Sequence, residues 1–243
     1  MFKELRARQY QIEMLHHAQA ILRHDMGSAA KEIESVLQGL TIPIEELVRG
    51  GGGEGQVTQR MRKALTELGW AGHSFEVKKI IDGEERESIT HAVDHVKRFD
   101  GGTFALEIEW NNKDPFFDRD LENFKRLHAD GAISIGCIIT RGETLHEAME
   151  GLFENFAAHR KITSIDQLPD YCRPTERQQK MYLAAAERHK SFARGWADAF
   201  VGDKFGEATT HWRKLQERVK RGVGNPCPLL LIGIPAGVVQ LEK

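Results

Sequence analysis

Residues 90–110, THAVDHVKRFDGGTFALEIEW, carry the pattern that decides the fold. Ile89 to Lys97 and Thr103 to Trp110 are rich in Val, Ile and Phe, and Phe99-Asp100-Gly101-Gly102 between them is a hairpin signal. Strict alternation in the second strand sends Phe104, Leu106, Ile108 and Trp110 to one face and Ala105, Glu107 and Glu109 to the other. A two- or four-residue turn centred on Asp100 and Gly101 pairs positions whose numbers sum to 201. That register sets Asp94 opposite Glu107, with Cβ atoms about 5 Å apart. A three-residue turn or a bulge would shift it by one.

Three carboxylates gathered beside an apolar face repel one another and raise each other's pKa, so the arrangement calls for a cation. Oxygen-only ligands suit a hard ion such as Mg²⁺. The plainer reading of an E-x-E strand is a solvated outer sheet face, and the paired Asp94 argues against it.

Working outward, Phe75 to Ile81 reads as a preceding strand, Asp118 to Ala129 as a helix with Leu121, Phe124 and Leu127 spaced three apart, and Ala132 to Ile139 as a buried strand. Upstream, Gly50 to Gly53 reads as a loop and Glu54 to Leu68 as a helix that Gly69 stops. Apolar residues from Phe2 to about Leu40 recur at helical spacing and predict two helices broken near Gly27. After Gly142, helices are expected at Thr144 to Ala158, Pro174 to Ala197 and Ala208 to Arg221, then a closing strand from Leu229 to Ile234. The class is α/β, a mixed central sheet flanked by helices. The expected organisation is a single domain, 1–243, with a helical part at 1–49, a core at 50–142, and a helical part with the closing strand at 143–243.

Thirty-four basic side chains against 36 acidic ones leave a net charge of −2, so any nucleic-acid partner must be met by local patches. THWRKLQERVKR, residues 210–221, sets Arg213, Lys214, Arg218, Lys220 and Arg221 against Glu217 alone. On a helix these residues can track phosphates, with the Gly222 to Asn225 loop approaching a groove through Asn225. A solvated helix face is the plainer alternative. Cys137, Cys172 and Cys227 lie far apart with no metal-ligand spacing, which points to a reduced, cytoplasmic protein without structural zinc. The first residues lack the apolar run of a secretory signal, and no stretch reaches the roughly 18 apolar residues needed to span a bilayer.

In these features the chain resembles the PD-(D/E)XK nucleases, and within them type II restriction endonucleases of the BamHI and BglII kind. The resemblance rests on GGGGEGQVTQRMRKALTELGW, Asp94, FALEIEWNNKDPFFDRDLENFKRLH and GAISIGCIITRG, over roughly residues 50–142, with a weaker echo at CPLLLIGI. By position it makes Asp94 the first metal acid and Glu107 the second. Glu109 stands where most of the superfamily has Lys, and the BamHI-like branch also has Glu there; the departure leaves the general base undecided. Glu54 matches an additional acid that some of these nucleases bring from a helix, although a helix N-terminal acid complementing the macrodipole is the simpler account. Lys113 is a candidate phosphate contact or a solvated loop lysine. The resemblance further implies double-stranded DNA as substrate, a specific and palindromic site, 5′-phosphate ends, Mg²⁺ and a homodimer.

Two other readings compete. His91-Ala-Val-Asp94-His95 superficially looks like a reversed zincin motif of a zinc hydrolase, but that chemistry needs a helix, whereas Ile89, Thr90 and Val93 favour a strand on which both His face away from Asp94. A non-catalytic DNA-binding protein would use the basic C-terminal helix, with the acids structural. The glycine run lacks the GK[ST] ending of a phosphate loop.

Overall fold

The computed structural model describes residues 1–49 and 54–241, so the loop expected at 50–53 lies outside the described residues. In chain order α1 (Lys3–Ala7), β1 (Gln11–Leu15), α2 (Ala18–His24), α3 (Gly27–Gln38), β2 (Ile42–Pro43) and α4 (Ile44–Val48) precede α5 (Gln56–Glu67). The middle of the chain forms β3 (Ala71–Ile81), β4 (Glu84–Phe99), β5 (Gly102–Glu109), α6 (Phe116–Ala129) and β6 (Ile135–Arg141). Then follow α7 (Glu143–His159), α8 (Glu176–His189), α9 (Phe192–Phe205), α10 (Trp212–Lys220), β7 (Leu229–Ile234) and β8 (Val239–Gln240).

Six strands form one mixed sheet in the order β1-β7-β6-β5-β4-β3, parallel between β5, β6 and β7 and antiparallel elsewhere. The β4–β5 hairpin has the expected register: Phe99 faces Gly102 and His95 faces Leu106. β3 and β4 extend further than their apolar runs suggest because Asp82 and Gly83, both at positive φ, close a two-residue primed turn between Ile81 and Glu84. Helices cover both faces. Phe104, Leu106, Ile108 and Trp110 pack into the larger core with α1 to α5 and α7 to α9, while Ala105 packs under α6 and α10 through Phe117, Leu121, Phe124, Trp212 and Leu215. α6 lies so close to β6 that a Cβ on Gly136 would stand 2.4 Å from the Phe124 ring.

Three expectations change. Residues 11–15 are not helical but form β1, the sheet edge against β7. Gln9, His16 and His17 take positive φ on either side, which breaks the helix that the spacing suggested. The expected helix from Pro174 to Ala197 is two helices, turned at Lys190 (φ 51°) and capped at Ser191, whose hydroxyl accepts from Arg194 N at 3.4 Å. The last long helix starts at Trp212, because the preceding strap bonds residues after β5 instead: Thr210 N donates to Asn112 O (2.8 Å) and Asp114 N to Ala208 O (3.1 Å).

Candidate active site

The acids occupy the C-terminal half of β5, on the face that α6 covers. Glu107 pairs with Ile138 and Glu109 with Thr140 in the parallel ladder, so both backbones are fixed from the centre of the sheet. Neither side chain is solvated: Glu107 is 4% exposed and Glu109 3%. Asp94 comes from β4 at an irregularity, where Val96 pairs with Ala71 but Val93 with His73, an extra β4 residue in the bulge manner. Its backbone N–H donates to Glu107 Oε1 at 3.3 Å, and its side chain lines an open cleft of about 700 Å³ with Glu54, Arg62, Trp110, Asn111 and Asn112.

A fourth acid, Asp120 on α6, completes the cluster at 1% exposure. Arg119 bonds its Oδ1 through Nη2 (2.7 Å) and Nε (2.8 Å) and also reaches Glu109 Oε1 at 3.7 Å; among the described residues Oδ2 has no partner. Sequence reading passed over Asp120. Its signal was position, since Phe117, Leu121, Phe124 and Leu127 define the buried face of α6 and Asp120 falls within that stripe.

Burial, then Asp120 and Asp94, push the Glu107 carboxyl up to about 10. Burial and Asp120 push Glu109 up to about 8, opposed by the Asn112 amide, whose Nδ2 donates to Glu109 Oε2 at 2.8 Å. Asp120 is raised as well, by burial, against the pull of Arg119. Protons therefore hold the cluster together when no cation does. Both glutamates have folded pKa values above the ordinary 4.5, so their stabilising contribution is complete below about pH 4.5 and is lost as pH rises through about 8 and 10. We expect the metal-free protein to lose thermal stability across that window, and Glu107→Gln to gain on the wild type as pH rises. Calorimetry in chelator from pH 5 to 9 checks this, and a pH-independent difference between the two proteins would refute it.

The remaining candidates divide. Glu54 lines the same cleft as Asp94 but is tied to Arg62 at 2.6 Å. Lys113 is exposed beside Asn112 and bridges Thr209 through the backbone. Arg218 is a correction to the picture of a solvated basic helix: it is buried against α6, with Nη2 2.8 Å from Asp114 and Nε 3.3 Å from Asp118. Arg213 pairs with Glu207 and Lys214 with Glu217, whereas Lys220, Arg221 and Asn225 are exposed. The zincin alternative fails because His91 and His95 lie in β4, not a helix. His91 Nδ1 meets Asn123 Oδ1 of α6 at 2.9 Å, and His95 Nδ1 lies 3.3 Å from Leu106 O.

A mixed sheet with paired acids on adjacent strands and helices on both faces is the framework of a PD-(D/E)XK nuclease. The family model for restriction endonuclease BglII/BglIII matches residues 10–234, and the chain belongs to that family. It is thus a type II restriction endonuclease, a hydrolase that cuts DNA at a specific site. A search of curated proteins found no matching sequence. Among the described residues no helix is long and apolar enough to cross a membrane.

Proposed function

We propose that this endonuclease hydrolyses double-stranded DNA with Mg²⁺ held by Asp94 and Glu107, leaving 5′-phosphate ends at a short palindromic site. The observation that carries the reading is the burial of Glu107, Glu109 and Asp120 on one face, with Asp94 in the adjoining cleft, all oxygen donors, of which Asp120 Oδ2 has no partner among the described residues; an ion would draw them onto one point. Such a set fits a hard divalent cation. When bound, the ion would supply charge neutralisation at the scissile phosphate and a more acidic water.

The chain's own groups do the rest. Asn112 Nδ2 holds Glu109 Oε2 and leaves Oε1 to accept the proton of the attacking water. A carboxyl raised toward neutrality is suited to that role, and the buried Asp120, whose charge raises it, would share the proton. Glu54, which lines the same cleft as Asp94, would orient water or metal from the helix side on release from Arg62. Lys113, Lys220, Arg221 and Asn225 are the exposed candidates for DNA contacts, with Arg213 and Lys214 available if they release their partners. Arg218 serves the fold.

The test is incubation with plasmid and phage DNA in Mg²⁺ and sequencing of the ends. Discrete fragments with one recurring palindrome and 5′-phosphates are expected; uncut DNA with every divalent ion would sink the reading. Cutting both strands of a palindrome calls for a twofold dimer. Light scattering should accordingly report about twice 27.5 kDa, and a chain that stays monomeric on DNA would count against it.

A further inference from the structure

Away from the acids, three side chains meet where α7, the strap before α10 and α10 itself join. His146, in the first turn of α7, places Nε2 3.1 Å from Glu207 Oε1. His211, the residue before α10, places Nε2 3.6 Å from Glu207 Oε2. The two imidazoles stack with centroids 3.9 Å apart and planes within 4°, and one ligand atom from each of the three residues lies within 4.8 Å of the others. His211 is 0% exposed, yet among the described residues neither of its ring nitrogens has a hydrogen-bond partner; His146 Nδ1 is likewise buried and unpartnered. Buried polar atoms are nearly always satisfied, and the orphaned His211 Nε2 points at the same carboxylate that His146 Nε2 binds, which asks for a ligand between the three.

We propose that His146, Glu207 and His211 form a second metal site, separate from the acid cluster, that takes a transition ion of the Zn²⁺ or Co²⁺ class. Two imidazole nitrogens and one carboxylate oxygen suit a borderline ion and disfavour Mg²⁺, which prefers oxygen ligands. Burial disfavours a charge on both rings, and a neutral imidazole can donate a lone pair. Binding requires the stacked rings to splay until both lone pairs aim at one point. It also requires Arg213, whose Nη2 is 2.7 Å from Glu207 Oε1, to yield that oxygen; its side chain is 44% exposed and can turn to solvent.

The ion would tie the strap to α7 and α10. That strap receives the chain leaving β5 through the Thr210–Asn112 and Asp114–Ala208 hydrogen bonds, and Asn112 in turn holds Glu109. The second site is therefore structural support for the first. It goes beyond the proposed function and does not depend on it.

The test uses the full chain carrying Asp94→Asn and Glu107→Gln, stripped with chelator and titrated with Co²⁺ in excess Mg²⁺, which occupies oxygen-only sites. We expect one Co²⁺ per chain with the intense visible bands of a nitrogen-containing, low-coordinate site, and displacement by Zn²⁺. Saturation should raise the melting temperature by roughly 3 °C or more. Adding Glu207→Gln, at a side chain 65% exposed and so harmless to folding, should weaken binding at least about tenfold. His146→Ala should remove it. No bound Co²⁺ in the parent, only the weak bands of an oxygen site, or undiminished binding in Glu207→Gln would overturn the proposal. If His146→Ala does not fold, the Glu207→Gln comparison decides alone.

Discussion

Asp94→Asn and Glu107→Gln should each reduce cleavage by roughly three orders of magnitude or more, because each tenfold in rate corresponds to about 1.4 kcal/mol and a lost metal ligand forfeits several. Both changes keep the shape of the side chain. Glu107→Gln should also fold at least as well as the wild type at neutral pH, since it removes a buried carboxyl already pushed up to about 10. Specific DNA binding without metal should hold or rise, as a negative charge near phosphate is lost. Glu109→Lys restores the residue common in the wider superfamily, but here its ammonium would enter a site that is 3% exposed and 3.7 Å from the Arg119 guanidinium. Loss of most activity is expected from that change too. Gel-based cleavage alongside a binding assay separates the two effects, and wild-type cutting rates in both Asp94→Asn and Glu107→Gln would show that the proposed site is wrong.

Arg141→Ala should be the most destabilising single change at the margin of the site. The fully buried guanidinium donates through Nε to Trp110 O (2.8 Å), through Nη1 to Phe205 O (3.2 Å), and through Nη2 to Thr209 Oγ1 (2.5 Å) and Thr210 O (2.8 Å). Burial lowers it to about 9, with Glu207 opposing, so it remains charged at neutral pH. Removing it leaves three carbonyls without a donor, a loss of about 3–5 kcal/mol for a buried hydrogen-bonded charge. In a chain of this size that is a fall in melting temperature of roughly 10 °C. Activity should fall with it, because Trp110 follows Glu109 and the strap that Arg141 holds also fixes Asn112. Arg141→Lys should not rescue, since one ammonium cannot span the positions that the planar fork reaches. A melting temperature within about 2 °C of the wild type would show that the strap is held by other means.

The hairpin that carries the site was legible in the sequence because its causes are local. Asp100-Gly101 sets a two-residue turn, alternation has a period of two, and together they fix the Phe99–Gly102 and His95–Leu106 pairs. The paired ladder ends there, and Asp94, at the β4 irregularity, meets Glu107 through its backbone N–H. The closing strand from Leu229 to Ile234 was legible for the same reason, as a run too apolar to lie anywhere but inside the sheet. What the sequence by itself determined, then, was five of the six strands of the central sheet, all but the edge strand β1, and the face on which Glu107 and Glu109 project. Tertiary structure decided how that face is used. α6 folds over it and takes the acids out of water, which raises their pKa values and adds Asp120; the same packing draws Arg218 out of the basic helix and onto Asp114 and Asp118. Burial by a distant element has no period along the chain. It depends on where α6, the strap and α10 land after the sheet has formed, and no local pattern in residues 116–221 fixes that.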